Sequence, residues 1–310
     1  MSKTGVIFVN IGTPRTPYKK DVKRYLAEFL SDHRVLDIPY IARKLLVHWV
    51  ILPFRSTKTS NAYKSIWSSG FSPLMRYSES FLEKAKISIG NEYELALGMR
   101  YGDPSIKSAL NKLKGCNKII LFPLYPQYAS SSTGSAVESF VSLLKVQWNI
   151  PQIKIAAPFF DHEGYIRSFA SIIEKSRRAH RWQHLVVSYH GLPLNHVKKS
   201  LCTQVTNCSK GQECPVYGVD SSFCYRSQCY QTSRLLADEL KMSRDDYSVS
   251  FQSSFGRQQW IQPYTLEVLE RLRQSGIKRI GVVCPSFVVD CLETFEEIGN
   301  VEEKKWNKKG

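Results

Sequence analysis

The chain has 310 residues, with 43 Lys and Arg against 27 Asp and Glu, for a formal net charge of +16. Its 43% apolar and 12% aromatic content is globular and excludes a disordered or fibrous chain. No stretch reaches the roughly 18 apolar residues that a membrane span needs. The opening MSKTGVIFVNIG enters a strand-like run at once, so the sequence predicts no secretory leader and a cytoplasmic protein.

In chain order, Val6–Ile11 reads as a first strand and Val22–Leu30 as a helix. Strand-like Tyr93–Met99 precedes helix-like Ser105–Leu113, and strand-like Lys118–Leu124 precedes helix-like Val137–Val146. After the Asn149-Ile150-Pro151 break the alternation resumes with strand Ile153–Phe159 and helix Tyr165–Arg177. Strand Leu185–Tyr189, helix Thr232–Leu240, strand Tyr247–Phe251, helix Thr265–Gln274 and strand Arg279–Cys284 complete it. Most of the strand runs are continuous rather than alternating, as in strands covered on both faces. The expected class is α/β: two Rossmann-like domains with parallel sheets, 1–150 and 151–310, facing a central cleft. The ligand is expected at the carboxyl ends of the strands.

The positive charge is scattered. Lys19, Lys20, Lys23 and Arg24, the stretch Arg271 to Arg279, and the tail lysines form no block of five like charges and do not interleave with aromatics. Nucleic acid is therefore not an expected partner, while peripheral attraction to an anionic membrane and plain solvated surface both fit. No Gly-rich phosphate loop is present, so no nucleotide cofactor is expected. His180 and His184 are four apart, but His184 falls where the next strand begins, which favours two unconnected histidines.

Five of the eight cysteines, Cys202, Cys208, Cys214, Cys224 and Cys229, fall within about 195–230. Without a leader, such clustering suits metal or iron–sulfur ligation better than disulfides, although reduced structural thiols remain an alternative. The spacing lacks the CxxC pairs of most zinc modules.

Two further segments are candidates for chemistry, although a lone strand-end histidine is more often structural and a row of carboxylates is usually solvated surface. Strand Leu185–Tyr189 runs into Ser188-Tyr189-His190-Gly191-Leu192-Pro193, which holds an imidazole at a strand's carboxyl end, where it can take a proton or meet a metal. After the last strand, a helix starting near Asp290 would put Glu293 and Glu297 on one face, a file of carboxylates able to collect a divalent cation or pass protons, with Glu296 pointing away.

These segments, SYHGLP and CPSFVVDCLETFEEIG, closely resemble the active-site motifs of the ferrochelatases, which insert ferrous iron into a porphyrin in haem synthesis. The resemblance spans nearly the whole chain, through VNIGTP, YKSIW with SPL, MRYGDPSI, PLYPQYASSSTGSA, FFDHEGY and FQSSFGRQQWIQPYT. It implies the chelatase-type fold, with Fe2+ and protoporphyrin IX as substrates. Coproporphyrin, or a non-catalytic porphyrin carrier on the same fold, are the alternatives. It also implies roles: His190 as the base that meets the iron, Glu293 opposite it, Asp290 beside Glu293, and Glu297 on the iron path. Arg55, Tyr63, Ser72, Arg100, Tyr101 and Ile11 fall on porphyrin-contacting positions, and Trp260 is assigned to the cleft that holds the disc. Ile11 stands where some coproporphyrin-using relatives carry tyrosine, which points to protoporphyrin.

The chain departs from the family pattern in three places: the cysteine-rich insert, Val301 where the acidic file often continues, and the ending at Gly310 without the usual final helix. Ser130 replaces the cysteine of animal-type cluster proteins, so a 2Fe-2S cluster would have to be built from four of the five insert cysteines. A monomer or a homodimer fits equally well.

Overall fold

The computed structural model describes residues 3–200, 210, 212–214, 217, 218, 221–254, 256, 258–302 and 306. Its chain divides into two compact units. The first comprises 1–125, 130–157 and 289–296, and the second 126–129, 158–288 and 297–310.

The first unit is built on a four-stranded parallel sheet in the order β2-β1-β3-β4. Its strands are β1 (Thr4–Gly12), β2 (Tyr93–Tyr101), β3 (Lys118–Pro123) and β4 (Gln152–Ile155). Val6 to Asn10 of β1 are buried without alternation, as expected of a central strand covered on both faces. Phe140 and Ala136 of a helix at Ser135–Leu144 bury one face with Ile7, Val9 and Leu121. Burial of each of the larger side chains, Phe140, Ile7, Val9 and Leu121, contributes roughly 1.5–3 kcal/mol. Strand β4 ends at Ile155, short of the expected Phe159, because Pro158 cannot donate to a ladder. All four of its residues are exposed at the sheet edge, against the general expectation of double cover.

Sequence periodicity missed most of the helical stretch between β1 and β2. After α1 (Lys19–Leu30) come α2 (Tyr40–Leu45), a π-helix at Leu46–Ile51, α3 (Leu52–Ile66) and α4 (Pro73–Ile89). The reason is physical. Ile41, Trp49 and Phe54 are 72%, 76% and 80% exposed, so apolar residues do not mark a buried stripe here.

The second unit holds a three-stranded parallel sheet in the order β6-β5-β7. These strands are β5 (His184–His190), β6 (Tyr247–Gln252) and β7 (Ile280–Val283). The chain leaves β5 to make β6 on one side and then returns to make β7 on the other. β5 is thus the strand at which the winding reverses, and the crevice opens at its carboxyl end. Helix α5 (Tyr225–Glu239) packs there, with Tyr225, Cys229 and Leu236 in the same core as Val187, Tyr189 and Phe251.

Candidate functional site

His190 is the last residue of β5. On the β6 side, Gly191 N donates to Gln252 O at 2.7 Å, extending the ladder one residue past the strand. On the other side β7 has already ended, with Val283 opposite Val187. Side chains replace the missing strand: His190 N donates to Ser286 Oγ at 3.2 Å, and the Tyr225 hydroxyl donates to His190 O at 2.9 Å. The imidazole Nδ1 lies 2.7 Å from Gly191 O. A carbonyl only accepts, so Nδ1 carries a proton, and in the neutral ring the lone pair is then on Nε2. The ring is half-buried, with Phe287 at 6.4 Å between centroids. A neutral imidazole fixed in this tautomer is a proton acceptor or a metal ligand.

Gly191 is required by close approach. A Cβ there would meet Gln252 O at 2.7 Å and the Trp260 ring at 3.3 Å. Trp260 is buried and bridges Pro193, so it holds the turn that follows His190. His184, at the other end of β5, bonds Ser248 Oγ through Nε2 at 2.9 Å and forms no pair with His180, which ends the preceding helix.

In the first unit Glu293 lies beside two phenols and a thiol. Burial, then the Tyr63 and Glu293 charges, pushes the Tyr25 hydroxyl pKa well above its usual value. Tyr63 is raised by burial and next by Glu293, and Cys291 by burial and next by Glu293, which also accepts a hydrogen bond from it. These groups therefore stay protonated and give Glu293 neutral, donor-bearing surroundings. Tyr25 donates to Gly12 O at 3.1 Å, and its ring meets Tyr63 edge-on at 6.5 Å. Tyr63 in turn meets Trp67 at 6.1 Å, and Ile11, Trp67 and Leu292 pack on the same cluster. Gly12 has φ +103°, and a Cβ there would overlap Tyr101 O at 1.8 Å, so β1 can turn at its carboxyl end only through glycine.

Arg100 and Tyr101 belong to a buried network around Asp32. One Asp32 carboxylate oxygen accepts from Arg100 Nη2 at 2.6 Å, Tyr101 Oη at 2.8 Å and Ser135 Oγ at 2.5 Å. Arg34 N donates to the other at 2.7 Å. Burial alone would raise the Asp32 pKa, but these donors and the Arg100 charge outweigh it and hold it below the usual value. A lowered carboxylate contributes stability that is present at neutral pH and lost only as pH falls through the folded pKa. Ser72, also buried, accepts from Met75 N at 3.2 Å and caps α4. Arg55 is half-buried on α3.

The acidic segment differs from the expected α-helix. Asp290 is exposed and lies outside the helix, which is a π-helix at Glu293–Glu302. Thr294 Oγ1 accepts from Cys291 N at 2.9 Å, giving the chain its cap after Asp290 rather than at it. A π-helix advances about 82° per residue instead of about 100°. By helix geometry Glu297 stays within about 33° of Glu293, while Glu296 turns about 115° away. Within the second unit, Glu297 accepts from Ser253 N at 2.8 Å and Ser253 Oγ at 2.5 Å. Ser253 sits at φ +66°, a strained value for serine that this double contact holds in place.

Of the insert cysteines, Cys214, Cys224 and Cys229 are buried, while Cys202 and Cys208 lie outside the described residues. Burial raises the Cys229 thiol well above its usual pKa, with Cys224 and Cys214 adding to the rise and the Tyr225 hydrogen bond opposing it. Among the described residues no group of three or more His, Cys, Asp or Glu is arranged to hold a metal ion. The expected 2Fe-2S ligand set is thus not present in them, and no chemical step is assigned to a cluster.

Sequence reasoning missed Tyr225, Ser286, Gln252, Tyr25 and Asp32. Each acts through a tertiary contact, and only the SYHGLP turn signalled where such partners would gather.

Parallel sheets wound in opposite senses about a central strand, with a histidine at that strand's carboxyl end, define a chelatase-type α/β protein. The fold is shared with SirB from Bacillus subtilis, solved with Fe3+: the TM-score is 0.53 at 13% identity, covering 99% of this chain and 84% of that one. The ferrochelatase family model matches residues 3–310. The ferrochelatase of Legionella pneumophila strain Paris is 47% identical over 309 residues, 99% of this chain and 91% of that protein. That of Coxiella burnetii strain CbuG_Q212 is 42% identical over 311 residues, 100% and 86% of the two. The chain belongs to the ferrochelatase family.

Gly191→Ala is expected to destabilise the protein by about 1–3 kcal/mol, the usual cost of overpacking. Gly115→Ala, which has open space around its Cβ position, should change stability far less. Urea unfolding of the two variants measures the difference, and equal midpoints would show that the His190 turn tolerates a side chain.

Proposed function

We propose that the chain inserts ferrous iron into protoporphyrin IX, with His190 as the base that takes pyrrole protons and Glu293 as the carboxylate that serves the metal or the second proton. Membership of the ferrochelatase family supports the reaction class. The observation that carries the residue assignment is the His190 tautomer, in which the Nδ1–H contact to Gly191 O leaves Nε2 basic.

Two N–H protons must leave the macrocycle, and the hydrated ion must shed water before it enters. A neutral imidazole accepts a proton near physiological pH without a large driving-force penalty. An ionised carboxylate beside protonated phenols offers a hard ligand or a proton relay. Asp290 is assigned to the approach to Glu293, and Glu297 to the metal's path. Arg55 is assigned to a propionate, since a guanidinium matches a carboxylate fork. Ile11 packs among apolar and aromatic side chains, and this supports protoporphyrin, which carries two vinyl groups where coproporphyrin carries two more propionates. The buried Arg100–Asp32–Tyr101 network is assigned to holding the porphyrin-side wall. Anaerobic insertion assays with both porphyrins are expected to favour protoporphyrin. His190→Ala should lower kcat at least about 100-fold, the scale of general-base catalysis. Glu293→Gln should lose most activity and Glu296→Gln little. Near-normal turnover in His190→Ala would reject the base. Tight porphyrin binding by wild type without insertion would favour a carrier.

We infer that the cysteine-rich segment binds a 2Fe-2S cluster, a reading supported by five thiols within it and by the burial of three of them. A cluster takes four thiolates and absorbs across the visible range, whereas a zinc site is colourless. Anaerobically purified protein should be red-brown, with about two irons and two acid-labile sulfides per chain. A colourless protein, or one holding only zinc, would reject the cluster.

Membrane association is proposed through the α2–α3 region. Ile41, Trp49 and Phe54 stand out from the surface there, and Tyr40, Ile41, Lys44, Leu45, His48 and Trp49 line an open groove of about 580 Å³. Apolar side chains flanked by Lys44 and Lys58 suit the interface of an anionic bilayer. Among the described residues no helix is long and apolar enough to cross a membrane. Replacing Trp49 and Phe54 together by Glu should abolish most co-sedimentation with phosphatidylserine-containing vesicles. Unchanged sedimentation would show that this surface does not dock.

A further inference from the structure

We propose that Tyr225 is a positioning residue for His190, acting on the histidine's main chain rather than on substrate. The proposal rests on the reading of His190 as the base. Its origin is the unequal length of the strands that flank β5. Pairing with β7 stops at Val187–Val283, so the N–H and C=O of His190, which face that side, have no strand partner there. A buried carbonyl left without a donor costs roughly 1–3 kcal/mol. At His190 the donor is the Tyr225 hydroxyl, at 2.9 Å.

The phenol is itself held firmly. Tyr225 opens the first turn of α5, next to fully buried Cys224, and its ring lies in the second unit's core with Val187, Tyr189 and Phe251. Ser286 Oγ accepts the N–H of His190. The peptide groups on both sides of the His190 Cα are therefore anchored by side chains from two different segments, the start of α5 and the loop after β7. With Gly191 N tied to Gln252 O, three contacts fix the plane from which the imidazole projects. Rotation of that plane swings Nε2 away from a bound macrocycle, and a misplacement of about 1 Å costs on the order of 100-fold in rate. Because Tyr225 bonds the backbone, its loss should leave porphyrin affinity alone.

The test is Tyr225→Phe, which removes only the hydroxyl, assayed by anaerobic iron insertion and by histidine-selective ¹⁵N NMR. The His190 resonances are located by their loss in His190→Ala. kcat is expected to fall about 10-fold, with KM within about 2-fold of wild type. The His190 nitrogens should lose the signature of a proton fixed on Nδ1. Tyr217→Phe, a phenol elsewhere in the insert region, should leave kcat and these resonances unchanged. If Tyr225→Phe does not fold, Ser286→Ala removes the other anchor of the same residue and should show the same split. Wild-type kcat in Tyr225→Phe, or in Ser286→Ala where that stands in, would overturn the proposal while His190→Ala stays inactive. So would a rise in KM at constant kcat. Near-normal turnover in His190→Ala would overturn the base assignment and this proposal with it.

Discussion

A strand that outlasts its neighbour leaves peptide groups that must bond to something, and β5 outlasts β7 by the stretch from Ser188 to His190. Much of the second unit's site is an answer to that constraint. Ser286 takes the N–H, Tyr225 takes the carbonyl, and β6 continues one residue further through Gly191. The imidazole then turns its Nδ1–H onto the Gly191 carbonyl, which leaves Nε2 as the nitrogen without that contact. The absence of a Cβ at Gly191 is what lets the chain pass between Gln252 O and the Trp260 ring.

The first unit solves a different problem, that of burying charge. Asp32 is compensated by Arg100, Tyr101, Ser135 and the Arg34 amide, so its ionised form is favoured inside the protein. A charge pair of this kind is expensive to break because the partner left behind is uncompensated. The network ties the carboxyl end of β2 to the end of α1 and the start of the helix at Ser135–Leu144. Those are the segments beside which Tyr25, Tyr63 and Glu293 cluster.

The two units differ in how they make a polar site. In the second, main-chain groups at a strand end are satisfied by side chains, and the placing of the His190 imidazole is a consequence of backbone geometry. In the first, phenols and a thiol are kept protonated by burial around one carboxylate. Neutral donors beside a carboxylate, and a neutral imidazole with a fixed proton, are complementary tools for moving protons.

Each strand among the described residues fell on an apolar run of the sequence, although only the central strands are covered on both faces and β4 lies exposed at its sheet edge. Their ends were less legible: β4 stops at Ile155 because of a proline, and the acidic helix begins at Glu293 rather than Asp290 because Thr294 provides the cap. The positions of His190 at a strand end and of Glu293 after the last strand were readable from local patterns, while the roles proposed for them came from the resemblance. Helices α2 to α4 were not, because their apolar residues face outward as often as inward. Tyr225, Ser286, Asp32 and Ser253 were invisible for another reason. Their roles are hydrogen bonds to groups 35, 96, 68 and 44 residues away, and no periodicity encodes a partner at such distances. The sequence by itself determined the strands and the class of fold, which depend on neighbours along the chain. Only the tertiary structure decided which nitrogen of His190 meets the Gly191 carbonyl and which residues anchor its main chain, because the anchors follow from where β7 ends and the turn from the packing of Gly191 against Gln252 and Trp260.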